Sequence, residues 1–311
     1  MTPPPEHLTD RMTWRLAQAN LAAQIGIVVT GGLVRLTGSG LGCSTWPLCE
    51  PGNFTPVFHE AATYHPFVEF GNRTLTGVLT VIAIALLWAL YRREPARSRP
   101  RILKALGWAV LAMIGVQAVV GGISVLVTLH PAIVGLHMTL SLVLIAVSAY
   151  LLLRLRQEDG PASKPPYAGL LWALGAVASL MLVLGAVTTG SGPHSGDDAT
   201  PYRFALDPSE ITRFHSMAAW TFLLALILVV TASVRSGHGI ARWKYLIALV
   251  LAQGVVGYWQ YFTALPVVLV LVHMLLASLL VAALTIAIGG CWTRERTAQL
   301  PSPAPSEALP R

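Results

Sequence analysis

The chain has 311 residues, of which 54% are hydrophobic and only 11% are charged, and its formal net charge at pH 7 is +7. With a mean hydropathy of +0.63, this composition lies far outside the range of soluble proteins. It excludes an ordinary water-soluble domain and indicates a membrane protein.

Eight apolar segments are long enough to cross a bilayer. The hydrocarbon core offers no partners to backbone polar groups, so each crossing must be a helix of about 20 apolar residues. The predicted spans are 16–36, 67–91, 103–127, 132–153, 168–189, 211–234, 243–263 and 266–289. The predicted fold class is therefore all-α, a polytopic protein with eight transmembrane helices.

The basic residues give the predicted orientation. Of 21 Lys and Arg residues, 17 fall on the side that carries both termini, and cytoplasmic loops collect such residues. We expect a multi-pass protein of the cell (plasma) membrane with both termini in the cytoplasm. Because topology accounts for the positive charge, the bilayer is the expected partner and nucleic acid is not.

The first outer loop contains Cys43 and Cys49 in the sequence GCSTWPLC. Both would face the oxidising side of the membrane, where a disulfide can persist. A metal site is the less favoured alternative, since zinc-binding cysteines are usually closer together and come with a second pair. Cys291, at the other end of the last helix, is interpreted as a small apolar residue.

The start of the second helix carries a polar group of residues. Glu69 precedes Asn72 by three positions, so both side chains project from about the same helical face. Glu69 is a functional candidate, and the alternative is a first-turn acid stabilised by the helix dipole.

One stretch of the chain occurs twice. The segment from Gln117 to His137 recurs from Gln253 to His273 with the same spacing, a shared VVG and a proline before the histidine. An internal duplication is the simplest interpretation. The two glutamines are interpreted as packing residues that can hydrogen-bond across helices.

The duplication predicts two pseudo-symmetric four-helix bundles. The N-terminal half would span residues 1–160 and the C-terminal half residues 161–292. The segment 293–311 is rich in Pro, Ser and charge and is predicted to be a disordered cytoplasmic tail. The polar stretch QEDGPASKPP after Arg156 is expected to be an unfolded linker.

Histidines within the predicted helices are candidate ligands, because such residues are costly in a membrane and are usually functional. His215 and His273 lie at similar depths on alternate helices of one half. Two facing imidazoles can hold a flat metal cofactor, and heme fits best. The alternative for each is a hydrogen bond to a neighbouring helix. In the first half, the position that matches His215 is Asn72, so His137 is the one obvious ligand there.

Taken together, these residues resemble the heme A synthase family. The resemblance covers nearly all eight helices and rests on a combination of short motifs. They are TGSGLGCSTWPLC in the first loop, VEFGNR at the start of helix 2, and GLHM, FHSM and LVHM on helices 4, 6 and 8.

The resemblance implies an oxidoreductase that converts the C8 methyl group of heme O into a formyl group by stepwise methyl hydroxylation, giving heme A for cytochrome oxidase. It implies that the C-terminal half binds heme b through His215 and His273, and that the N-terminal half holds the substrate heme O. An electron donor and a heme O synthase are the further partners expected.

By the same resemblance, Glu69 matches the family's functional glutamate, His137 an axial ligand, and Cys43 with Cys49 a pair that can form a disulfide. Asn72 replaces a histidine of the family pattern. The predicted catalytic set is therefore Glu69, His137 and Asn72, and the iron in this half would have one open face.

Two neighbouring residues have open assignments. His65 is a possible substitute for the missing ligand. Arg73 either extends outward to the membrane surface or pairs with a heme propionate. The alternative function is a bis-His heme b electron-transfer subunit that does not modify heme. A transporter is less favoured, because few polar residues fall at the predicted midplane.

Overall fold

A computed structural model describes residues 4–58, 63–199, 201–237 and 239–294. It confirms the all-α membrane fold, because the described residues form eight helices that are long and apolar enough to cross a bilayer. They are α1 (Arg11–Leu36), α2 (His65–Arg92), α3 (Arg101–Leu126), α4 (Pro131–Arg154), α5 (Ala168–Ser191), α6 (Pro208–Arg235), α7 (Lys244–Phe262) and α8 (Val267–Gly289). Two-residue strands β1 (Ala162–Ser163) and β2 (Thr293–Arg294) pair antiparallel.

Some helices begin before their apolar segments do. α1 begins at Arg11 because the carboxylate of Asp10 accepts hydrogen bonds from two backbone N–H groups of the first turn. Asp207 caps α6 in the same way, and Pro208 supplies the first helical position. These caps satisfy N–H groups that have no partner within the helix, so a polar first turn can be helical although its hydropathy is low.

Apolar packing gathers the helices into two groups that meet at a seam. One set of buried side chains joins α1 to α4, and another joins α5 to α8 around Phe222. A third cluster, with Val28, Ile145 and Val281 in its core, lies where α1, α4 and α8 meet. The division at residue 160 stays a prediction.

The corners before α4 and α8 have the same local geometry. Leu129 and Leu265 both adopt a left-handed backbone conformation, with φ of 57° and 59°. The N–H of Leu129 donates to the Ser124 carbonyl at 2.7 Å, and that of Leu265 donates to the Gln260 carbonyl at 2.8 Å. A left-handed leucine is strained and persists only where the surroundings require it. Each corner thus fixes how the following histidine-bearing helix begins.

The polar stretch after Arg156 is folded, contrary to the expectation of an unfolded linker. The guanidinium of Arg99 donates to both carboxylate oxygens of Asp159 at 2.9 and 2.8 Å and to the carbonyl of Gln157 at 2.6 Å. Arg99 is only 7% exposed, and a buried guanidinium requires such acceptors. Because Arg99 belongs to the distant α2–α3 connection, the linker sequence alone does not reveal this order.

The predicted tail is described only at its first two residues. Thr293 and Arg294 form β2 against β1, and the Arg294 guanidinium donates to the Gly160 carbonyl at 3.0 Å. Residues 295–311, the rest of the predicted tail, lie outside the described residues.

Candidate functional site

A cavity of about 1990 Å³ lies between the helices and extends to the end of the bundle that carries the Cys43–Cys49 loop. Single-ligand pockets measure roughly 300–1,000 Å³, so this volume accommodates more than one large ligand. The predicted site residues other than the cysteines all line it: Glu69, Asn72, Arg73, His137, His215 and His273.

His215, on α6, is held in a defined orientation. Its Nδ1 lies 3.0 Å from the Met181 carbonyl oxygen on α5. Because a carbonyl can only accept, Nδ1 carries the proton and Nε2 is left with a free lone pair. A Cβ added to Gly185 would lie 3.0 Å from Cε1 of the ring, so this glycine makes room for the imidazole. Histidines that bind metals are commonly oriented by such a second hydrogen bond.

His273, on α8, packs against α7. A Cβ on Gly257 would lie 3.2 Å from its Cε1, and the Gln253 side chain donates to the His273 carbonyl at 3.1 Å. Among the described residues, the buried Nδ1 of His273 has no hydrogen-bond partner. Because Nδ1 is shielded from the cavity, Nε2 is the nitrogen that a ligand in the cavity could reach.

His137, on α4, has the same surroundings. A Cβ on Gly121 would lie 3.3 Å from its Cε1, and Gln117 donates to its carbonyl at 3.2 Å. Its Nδ1 is also buried and lacks a partner within the described part of the chain. The glutamines therefore bond across helices as the duplicated sequence predicts, and each supports the helix turn that carries a histidine.

Asn72 lies on α2, at the position that matches His215 in the sequence. Its Oδ1 accepts a hydrogen bond from the Thr30 hydroxyl at 2.7 Å, which leaves Nδ2 as a donor. A Cβ added to Gly31 would lie 3.9 Å from Nδ2. A carboxamide therefore contacts α1 beside a glycine, much as the three histidines contact their own neighbouring helices.

Glu69 is 5% exposed, and both of its carboxylate oxygens have partners. Arg73 donates to Oε1 through Nε at 3.0 Å and also through Nη2. The backbone N–H of Cys43 donates to Oε2 at 2.7 Å. The carboxylate therefore joins α2 to the first loop, a role that goes beyond stabilising the first helical turn.

Arg73 extends this link into the loop. Its Nη1 donates to the carbonyls of Thr45 and Leu48 at 3.1 and 3.3 Å. Cys43 and Cys49 are joined by a disulfide, which confirms the favoured interpretation of this pair. The guanidinium thus holds the loop between the two cysteines, while its predicted contact with a propionate stays a prediction.

His65 and Cys291 have partners elsewhere. His65, at the start of α2, has its Nδ1 2.8 Å from the Ser39 hydroxyl. It is not among the described residues that line the cavity. Cys291 is buried with its Sγ 3.3 Å from the Ala287 carbonyl, in agreement with its interpretation as a packed residue.

Comparison with known proteins identifies the family. Residues 14–285 match the sequence model of the COX15-CtaA family, described as cytochrome oxidase assembly protein. The chain belongs to the COX15-CtaA family. The match covers all of α2 to α7 and most of α1 and α8.

Relatives of this COX15-CtaA protein carry the name heme A synthase. One from Symbiobacterium thermophilum is 29% identical over 179 residues, which cover 54% of this chain and 56% of that protein. One from Lysinibacillus sphaericus is 34% identical over 137 residues, with 43% and 42% covered. One from Halalkalibacterium halodurans is 28% identical over 232 residues, with 68% and 74% covered. The chain spans about half the length of most of the curated relatives it matches.

The residues of this COX15-CtaA protein fit a heme. Three imidazoles reach one cavity, and each is backed by a glycine whose missing side chain leaves room for the ring. Two of the rings have a buried Nδ1 that lacks a protein partner among the described residues. Apolar side chains such as Leu142, Leu182 and Val250 form much of the wall, as the apolar edges of a macrocycle require.

Sequence reasoning missed part of this site. Gly121 and Gly257 recur in the duplicated stretch, which shows their shared position but suggests only close helix packing. Gly185 and the Met181 carbonyl carry no sequence signal, since any residue has a carbonyl. Only the packing of α5 against α6 assigns them to His215.

Proposed function

We propose that this protein is a heme A synthase, which oxidises the C8 methyl group of heme O to a formyl group. The observation that carries the proposal is the unequal donor set of one cavity: two imidazoles in the C-terminal half, and one imidazole with a carboxamide and a carboxylate in the N-terminal half. The family membership supports the same conclusion.

In the C-terminal half, His215 and His273 would hold heme b through their imidazoles. When bound, this group would supply one-electron transfer. The Met181 carbonyl keeps the proton of His215 on Nδ1, so Nε2 would be the nitrogen that binds the iron. Gln253 fixes the turn of α8 that carries His273. These residues bind and orient a cofactor and are not expected to touch the substrate methyl group.

In the N-terminal half, His137 would bind the substrate heme O from α4. Two successive hydroxylations at the methyl carbon would give a geminal diol, which loses water to leave the formyl group. With dioxygen as oxidant, each hydroxylation would place one oxygen atom on the carbon and reduce the other to water with two protons and two electrons from the expected electron donor. With a peroxide, cleavage of the O–O bond would supply the oxidising equivalents and release the second oxygen as water or an alcohol. Asn72 offers an amide donor and no imidazole, so one face of this heme would stay open to the oxidant. Glu69 is the carboxylate of the predicted set, and its hydrogen bond from the Cys43 N–H ties it to the first loop.

The test is conversion of heme O by the full-length protein. The chain is expressed in cells that make heme O but lack their own heme A synthase, and the extracted hemes are identified by mass spectrometry. We expect hydroxylated and formyl products from the wild type, none from His137→Ala, and at least about a hundredfold less from Glu69→Gln if the carboxylate contributes acid–base chemistry. The matched control is Glu6→Gln, which changes an exposed carboxylate.

The alternative is a heme b electron-transfer subunit, favoured by the well-oriented His215. It predicts a normal bis-imidazole heme b spectrum with heme O recovered unchanged. That result would contradict the synthase proposal and leave the C-terminal heme site in place. Loss of conversion in His137→Ala with heme b retained would instead support two sites with separate roles.

A further inference from the structure

The two copies of the duplicated stretch differ at one position beside the histidine. The glycine that faces the imidazole is Gly121 in α3 and Gly257 in α7. The next residue is Gly122 in the first copy and Tyr258 in the second. Both residues line the cavity, so the space at equivalent positions of α3 and α7 is filled in different ways.

At Gly122 the space is filled from outside the helix. The indole of Trp46 lies directly on this glycine, and an added Cβ would be only 2.3 Å from Cδ2 and 2.4 Å from Cε2 of the ring. No side chain can occupy position 122 while the indole stays in place. Trp46 and Pro47 line the cavity, and Trp46 is 36% exposed, so the ring lies at an exposed part of the cavity wall.

At Tyr258 the space is filled by the helix itself. The Trp220 Nε1 donates to the tyrosine hydroxyl at 3.0 Å, and the Ser216 hydroxyl lies 3.3 Å from it. All three residues belong to helices, α6 or α7. Tyr258, which is 46% exposed, is held by hydrogen bonds to two side chains of α6, whereas Trp46 is carried by a loop and not by a helix.

The Trp46 loop is held by a small number of polar contacts. The disulfide closes it between Cys43 and Cys49. The Arg73 guanidinium binds the carbonyls of Thr45 and Leu48, on either side of Trp46. The loop is therefore a compact unit that is bonded to α2 through the Arg73 guanidinium and its partner carboxylate, and that packs through Gly42 against the backbone of His65 and Pro66.

We infer that Trp46, seated on Gly122, is the removable cover of the N-terminal ligand site and determines that this half, and not the half in which Tyr258 fills the matching position, exchanges its macrocycle. The inference rests on the proposed function, since an enzyme must release its product from the substrate half and retain the heme of the other half. Trp46 is a residue that controls exchange and takes no part in the oxidation.

The test measures release of heme b from the purified full-length protein to an excess of apomyoglobin. Both halves are loaded with heme b, and two release phases are expected. The variants His137→Ala and His215→Ala assign them, because each removes one phase. We expect Trp46→Ala and Gly122→Ala to accelerate the N-terminal phase about tenfold, a factor typical of losing one aromatic contact, and to leave the C-terminal phase unchanged.

Two controls accompany these variants. Gly115→Ala makes the same substitution in α3, where the added Cβ would meet no atom within 4 Å, and it should leave both phases at their wild-type rates. Tyr258→Ala should accelerate the C-terminal phase instead. The unchanged second phase in each variant also reports that the protein is folded.

The outcomes distinguish the two proposals. If Trp46→Ala and Gly122→Ala release heme at the wild-type rate while His137→Ala removes a phase, the role of Trp46 as a cover is disproved. The proposed function is then unaffected. If His137→Ala removes no phase, the N-terminal half holds no heme, and the proposed function fails together with the inference.

Discussion

At the scale of single residues, Asn72 distinguishes the two halves. Three of the four positions that face the cavity beside a neighbouring helix carry histidine, and Asn72 is the exception. Its Oδ1 is occupied by the Thr30 hydroxyl, and its amide nitrogen is a poor ligand for iron because the lone pair is delocalised. We therefore expect His137 to be the one protein ligand of a heme in the N-terminal half.

Replacing Asn72 tests this directly. Asn72→His should convert the N-terminal heme from a high-spin, five-coordinate state to a low-spin, bis-imidazole state, because Gly31 leaves room beside position 72. Resonance Raman and EPR spectra of the fully loaded protein report the change, and Asn72→Gln serves as the amide control. A wild-type N-terminal heme that is already low-spin would disprove the prediction that one face of this heme is open.

Glu69 has a structural role in holding the first loop and a proposed chemical role in handling protons. The structure places its carboxylate against Arg73 and the Cys43 N–H, so it holds the loop whether or not it also handles protons. Glu69→Gln keeps an acceptor for the N–H and removes the charge. Comparing its heme conversion with its heme release rate therefore separates chemistry from positioning.

At the scale of helices, glycines decide where imidazoles can lie. Gly185 on α5 is the closest of these contacts, since an added Cβ would lie 3.0 Å from His215 Cε1 and 3.4 Å from its Nδ1. The ring cannot move away freely, because Nδ1 is bonded to the Met181 carbonyl. The helix pair α5 and α6 thus supplies both the space and the orientation.

The close contact between Gly185 and the His215 ring predicts the effect of a larger side chain at this position of α5. Gly185→Val should displace the imidazole, weaken the bond to Met181 and lower the heme b content of the purified protein at least about tenfold, an effect typical of disturbing the groups that orient a metal ligand. The pyridine hemochrome assay measures the content. Gly175→Val, on the same helix where an added Cβ meets no atom within 4 Å, is the control. Equal heme b content in the two variants would show that Gly185 does not position the ligand.

At the scale of the whole molecule, a buried polar network joins the two halves at the end that carries the termini. Arg99 and Arg154 have side chains only 5% and 2% exposed, and both pair with Asp159. The Gln157 side chain donates to the Gly289 carbonyl at the end of α8 at 3.2 Å. The linker therefore connects the α2–α3 connection, α4 and α8.

Removing the shared carboxylate tests how much this network contributes. Asp159→Asn leaves two buried guanidinium groups without their counter-ion and should reduce the free energy of unfolding by about 3 kcal/mol. The thermal midpoint of the heme-loaded protein in detergent should fall accordingly. Glu6→Gln, which breaks an exposed pair with Arg11 at 3.5 Å, should have little effect. Equal midpoints for the two variants would contradict the importance of the network.

Much of this protein follows from its sequence alone. Hydropathy and the duplicated stretch predict eight helices because a bilayer forces every long apolar segment to satisfy its own backbone. The same reasoning selects His137, His215 and His273, since a polar residue in such a segment is costly and seldom accidental. These properties depend on the residues of one segment and on the membrane around it, and the hydropathy of the sequence reveals both.

Tertiary structure decides what depends on contacts between distant segments. The positions of Gln157 and Asp159 depend on Arg99, the orientation of His215 on a carbonyl of α5, and the filling of the space at Gly122 on a tryptophan of the first loop. None of these partners is near its counterpart in the sequence. Because packing and hydrogen bonding act across space, only the folded chain shows that a tryptophan of the first loop fills the space at Gly122, whereas Tyr258, one repeat later, fills the matching position itself.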